Sequence, residues 1–144
     1  MVAVNNLESI LLSIEAKSGA GDILYVPPDQ LERCELITKM FSIYRERYII
    51  LAFKFMSKKR FTRKKQRVYE NRELREYYKI ADLDMIANPN GTLPTVKCNY
   101  DGTTEVIQTS AGSTYTVDMK LKDYDMPFKS KAIKKGYYHQ KKLK

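Results

Sequence analysis

Tryptophan is absent, histidine occurs once and cysteine twice in these 144 residues, and each scarcity removes a class of chemistry. With His139 alone near the end of the chain, a Cys/His zinc site lacks ligands and a serine or cysteine nucleophile lacks a base. Cys34 and Cys98 are too few for a disulfide framework and read as buried free thiols of a reducing compartment. No stretch approaches the roughly 18 apolar residues of a membrane-spanning helix. The longest apolar run, positions 48–53, is six residues. The N-terminal stretch carries Glu8 and Glu15 and no leading basic residue, which argues against a secretory signal. A glycine-rich phosphate loop followed by Lys-Ser/Thr is also missing. Glycine and proline are both absent between Asp29 and Pro89, so any turn there has to be made by residues content in a helix.

Acid is missing from two places where base is dense. Positions 54–67 hold eight basic residues, Lys54, Lys58, Lys59, Arg60, Arg63, Lys64, Lys65 and Arg67. Positions 129–144 hold seven lysines, Lys129, Lys131, Lys134, Lys135, Lys141, Lys142 and Lys144, and Tyr137 and Tyr138 stand among them. The whole chain is +9, with 26 Lys and Arg against 17 Asp and Glu. These two segments therefore exceed the net charge, and the rest is mildly acidic. Concentrated cation without interspersed acid suits a polyanion, and Lys/Arg patches lacking a base-reading scaffold favour phosphate contacts that are indifferent to sequence. Tyr137 and Tyr138, with Phe128, could stack on unpaired bases or pack in a protein groove. A membrane partner is not expected, since neither a lipidation signal nor a strongly apolar amphipathic helix adjoins the basic arm.

The patterning predicts an α+β fold. Asn5 with Glu8 reads as a capping pair opening a short helix that carries Leu7, Ile10, Leu11 and Ile14 on one face and stops at Lys17-Ser18-Gly19. Positions 22–26 read as a strand ended by Pro27-Pro28. Asp29 and Glu32 open a long helix whose seam is Cys34, Ile37, Phe41, Tyr44, Tyr48, Leu51 and Phe55, with a second stripe of Leu36, Met40, Ile43 and Ile50. Beyond the basic segment, Val68, Leu74, Tyr78, Ala81 and Met85 continue at helical spacing, with Arg72 and Glu76 paired at i and i+4, until Asn88-Pro89-Asn90-Gly91. The two long helices either form an antiparallel hairpin turning between positions 57 and 62 or run on as one bent rod; the hairpin is the reading adopted. From 93 to 121 the period becomes two, with Asp101-Gly102 and Ala111-Gly112-Ser113 as turns, which predicts a three-stranded antiparallel meander packed on the helices. The domain is expected to span 1–128, with the basic segment 54–67 as a protruding helix tip and 129–144 as a disordered arm.

One arrangement hints at catalysis. Glu105 and the run Asp118-Met119-Lys120 lie on the two arms of a predicted hairpin, in the acid plus Asp-x-Lys layout of metal-dependent nucleases. The match is three residues long, and alternating acids and lysines also describe the wet face of any strand. Asp82-Leu83-Asp84 is a still weaker metal hint and reads as helix surface. The sequence thus points to a non-enzymatic, cytoplasmic accessory or structural protein that binds nucleic acid, DNA or RNA, through phosphates, with no cofactor or metal. The alternative is a structural subunit of a larger assembly, a phage or viral particle or a ribonucleoprotein, whose tail threads into neighbouring subunits. A small metal-dependent nuclease comes third.

Overall fold

A computed structural model describes residues 1–125, and strands rather than helices carry most of them. The N-terminal segment is a hairpin of β1 (Val2–Asn5) and β2 (Ile10–Gly19), not a helix. The expected reciprocal pair does form, with the Glu8 N–H donating to Asn5 Oδ1 at 3.2 Å and Asn5 Nδ2 donating to Glu8 Oε2 at 2.9 Å. It closes a turn that ends with Ser9 at a φ of 56°. The helical spacing of Ile10, Leu11 and Ile14 misled because these residues fall on both faces of a strand, Leu11 and Ser13 buried on one and Ile10, Leu12 and Ile14 half-buried on the other.

β3 (Ile23–Val26) lies where the sequence placed it. The extended Pro27 then leads into α1 (Pro28–Met40), with Pro28 in the first turn, where a missing N–H costs nothing. The long helix expected to reach Phe55 stops at Met40. After a loop over 41–45 the chain becomes β4 (Glu46–Phe55), parallel to β2 over ten paired residues, so α1 is the crossover between parallel neighbours. Of the predicted helical seam, Cys34, Leu51 and Phe55 are buried, whereas Phe41 is exposed and Tyr44 half-buried. From Tyr48 to Phe55 nearly every position is apolar and therefore fits any period. The residues that face the core are Ile49, Leu51, Phe53 and Phe55, at a period of two.

The second long helix is absent too. Its span holds β5 (Lys58–Arg63), β6 (Gln66–Asn71), β7 (Arg75–Ile80) and a single turn of helix, α2 (Leu83–Ile86). Asp82 caps α2, its Oδ1 accepting from the Met85 N–H at 3.3 Å, and Asp84 lies in the first turn. The predicted meander is present as β8 (Thr95–Asn99), β9 (Thr104–Ser110) and β10 (Ser113–Asp118). Gly102 takes the left-handed position of the first turn, and Ala111 and Gly112 both take it in the second.

Three sheets form among the described residues, ordered β10-β9-β8-β3, β1-β2-β4-β7-β11 and β5-β6, where β11 is Lys122–Asp123. The expected α+β architecture of long helices on a meander is thereby replaced by a mostly-β one. The inner side of β4 packs against Val96 and Cys98 of β8, Val106 of β9, and Leu31 and Cys34 of α1. Both cysteines are buried free thiols, as expected, and burial pushes the Cys98 thiol up to about 12. Among the described residues no helix is long and apolar enough to cross a membrane.

Candidate nucleic-acid interface

The first basic segment is a two-stranded hairpin, β5 with β6, not a helix tip. Its sequence alternates, and the apolar residues Phe61 and Val68 face each other across the strands. The reversal is made by Lys64 and Lys65, at φ of 50° and 64°. Positive φ at both central residues matches the twist of a hairpin, but it is normally supplied by Asn-Gly and costs a side-chain-bearing residue roughly 1–2 kcal/mol. Two cations occupy the tip in spite of that strain.

The strand pleat sorts the charge. On one face lie Lys58 opposite Asn71, Arg60 opposite Tyr69, and Thr62 opposite Arg67, all exposed, with no acid among them. On the other lie Lys59 opposite Glu70, Phe61 opposite Val68, and Arg63 opposite Gln66. The cations of this second face are engaged at home. Lys59 Nζ is 2.9 Å from Asp22 Oδ2, and the Arg63 guanidinium sits 5.4 Å from the centre of the Phe61 ring. The acid-free face, continued by the Lys64-Lys65 tip, is the surface able to accept a row of phosphates, and Tyr69, which sequence reasoning passed over, stands in its middle with 55% of its surface exposed.

An isolated two-stranded hairpin is marginal in water, so its root matters. The Arg60 N–H donates to the Ala20 carbonyl at 2.9 Å and the Arg72 N–H to the Ser57 carbonyl at 2.7 Å. Arg72 is the clamp. Its Nε donates to the Met56 carbonyl at 2.8 Å, Nη2 to the Gly21 carbonyl at 2.9 Å, and Nη1 meets Asp22 Oδ1 at 3.1 Å. The same guanidinium lies 4.4 Å from the centre of the Tyr100 ring, which in turn stacks edge-on against Phe55. The expected Arg72–Glu76 helical pair is thus replaced by a link between the hairpin and the core. Nothing in the sequence separates Arg72 from the surrounding cations except the acid at Asp22, fifty residues away.

The other predicted contact residues divide cleanly. Lys54 is outside the hairpin, exposed on β4 with Glu76 as its cross-strand partner. Lys129, Lys131, Lys134, Lys135, Tyr137, Tyr138, Lys141, Lys142 and Lys144 all lie outside the described residues.

The nuclease-like trio meets one of its requirements. Asp118 and Glu105 are direct partners in the β10–β9 register, a level the sequence alone leaves open by one residue. Glu105, however, is already held by Asn99 Nδ2 at 2.9 Å and Lys97 Nζ at 3.6 Å, contacts that keep its carboxyl below the usual range. Asp118 and Lys120 line an open cleft of about 690 Å³ with Asp101 and Asp123, and Glu105 does not reach it. There Asp123 pairs with Lys79 at 2.6 Å, and Asp101 accepts from both the N–H and the hydroxyl of Thr103, which lowers its pKa. Among the described residues no group of three or more Asp, Glu, His or Cys side chains is placed to hold a metal ion.

The chain matches no family model, no curated protein and no solved structure.

Proposed function

We propose that this chain is a non-enzymatic nucleic-acid-associated protein whose β5–β6 hairpin lies along a sugar–phosphate backbone. The observation that carries the reading is the sorting of charge between the two hairpin faces. Lys58, Arg60 and Arg67 share an exposed face free of acid, while Lys59 and Arg63 opposite are paired within the molecule. Cations clustered without counterions repel one another, and an anion from outside relieves that repulsion. The strained Lys64-Lys65 tip points the same way, since backbone strain persists where the side chains serve a purpose beyond folding. Tyr69, set between Arg60 and Arg67, offers a ring on which an unpaired base can stack. Contacts of this kind read phosphate, so DNA and RNA both qualify, and the sequence preference is weak.

The test is the salt dependence of binding to duplex and single-stranded oligonucleotides. Each phosphate contact adds about 0.9 to the log–log slope on duplex DNA and about 0.7 on single strands. Replacing Lys58, Arg60 and Arg67 together by Gln flattens the slope and weakens binding on both. Tyr69→Leu weakens single-strand binding alone. Wild-type protein that fails to bind either polymer at low salt refutes the proposal.

A further inference from the structure

The edge formed by β1 is built differently from the opposite edge of the same five-stranded sheet. β11 at the far side of that sheet is two residues long, both charged. Short length and charge are the usual protections of a strand edge. β1 reads Val-Ala-Val-Asn, with no charge, proline or bulge, and all four residues are exposed.

Parity decides what that edge offers. The main chains of Met1 and Ile14 exchange both bonds, with Ile14 N–H donating to the Met1 carbonyl at 2.8 Å and Met1 N to the Ile14 carbonyl at 3.2 Å. Alternation then makes Ala3 and Asn5 the residues that bond to Leu12 and Ile10, while the N–H and C=O groups of Val2 and Val4 point away from β2. Their side chains share the face of Ser13 and Leu11, the one that α1 covers further in, yet at the edge Val2 and Val4 are 42% and 49% exposed.

We propose that β1 is a self-association edge, pairing antiparallel with β1 of a second copy about a two-fold axis through Ala3. In that register Val2 of each copy faces Val4 of the other. Every outward N–H and C=O of the two valines finds its complement, and the four valine side chains meet on one face. The five-stranded sheet becomes a continuous ten-stranded one. A partner strand of unrelated sequence could use the same donors and acceptors, but β1 is complementary to itself in both hydrogen-bond parity and side-chain face. The inference does not depend on the role assigned to the basic hairpin.

Sedimentation velocity on nuclease-treated protein, from about 1 μM to about 1 mM, together with amide exchange, tests it. The expected result is a concentration-dependent dimer in which the Val2 and Val4 amides become protected as dimer forms, while Ala3 and Asn5 are protected in monomer and dimer alike. Val4→Pro removes only an outward N–H, a change edge strands tolerate, and weakens the dimer at least about tenfold. Val4→Lys leaves the backbone intact, sets two like charges across the axis and does the same. A chain that stays monomeric throughout overturns the proposal. So does a dimer whose Val2 and Val4 amides exchange as in the monomer, or one that both variants leave unchanged.

Discussion

Two hairpins lie at opposite ends of β4, and they expose opposite kinds of surface. Where β4 starts, the Glu46 N–H donates to the Ser9 carbonyl at 3.1 Å, and Tyr44 reaches Asn6 at 2.8 Å, tying the β1–β2 turn to the 41–45 loop. That end shows Leu7, 97% exposed, and Ile43, 84% exposed. Where β4 ends, Met56 bonds to Gly19 and the chain enters a hairpin with seven cations and one acid between positions 58 and 71. One end is short of apolar cover and the other of counterions. The two deficits suit different kinds of surface, an apolar one at the first end and, on the function proposed above, a polyanion at the second.

The contrast rests on a rigid body between the ends, and Phe55 is where that body meets the basic hairpin. Phe55 is fully buried and packs edge-on against Tyr77 and Tyr100. Phe55→Ala should cost about 3–5 kcal/mol by denaturant titration, whereas Phe41→Ala at the apolar end, where the ring is partly exposed, should cost less than about 1 kcal/mol. Equal costs would erase the distinction between body and end.

Releasing the clamp comes next in size. Arg72→Gln removes hydrogen bonds of a charged donor to Met56, Gly21 and Asp22 and should cost about 1.5–3 kcal/mol. Limited proteolysis should then cut between positions 58 and 71 faster, with the β1–β2 turn cut as before. Relaxing the tip should act in the opposite direction. Lys64→Asn with Lys65→Gly supplies the residues the turn prefers, so thermal denaturation should show a gain of roughly 1–2 kcal/mol while polynucleotide binding weakens. A variant that gains stability without losing affinity would take the tip out of the interface.

The body itself also carries a pH dependence. Cys98 has its pKa raised by burial to about 12 from the ordinary 9.0. Below 9.0 the thiol is protonated in both states and its contribution to stability is complete. Above 9.0 the unfolded chain ionises first, so stability is lost as pH rises toward 12, at up to about 1.4 kcal/mol per pH unit for one proton. The stability advantage of wild type over Cys98→Ala should therefore shrink across that window. A constant difference would mean that Cys98 ionises equally easily folded and unfolded.

Legibility in the sequence followed turn chemistry. Pro27-Pro28 ended β3, and Asp101-Gly102 and Ala111-Gly112 set the meander, because those residues fix backbone angles locally. The 41–45 loop and the Lys64-Lys65 turn contain neither glycine nor proline, so nothing local announced them, and the apolar run 48–55 satisfied helix and strand periods alike. Asn5 and Glu8 formed the anticipated bonds in a different structure, since the same reciprocal pair serves a turn as well as a helix start. The basic segment was legible as a charge cluster. Its division into a free and a paired face was not, because that depends on strand pleat and on Asp22, which lies 36 positions before Lys58.

The division of the hairpin faces is tested most directly by comparing two variants of equal charge change. Lys58→Gln with Arg60→Gln alters the acid-free face, and Lys59→Gln with Arg63→Gln alters the paired one. If Lys58 and Arg60 each contact a phosphate, the first variant lowers the salt slope on duplex DNA by about 1.8, and the second by less than about 0.9. Equal losses from the two faces would contradict the account, because the hairpin would then act as diffuse charge and its faces would carry no distinction.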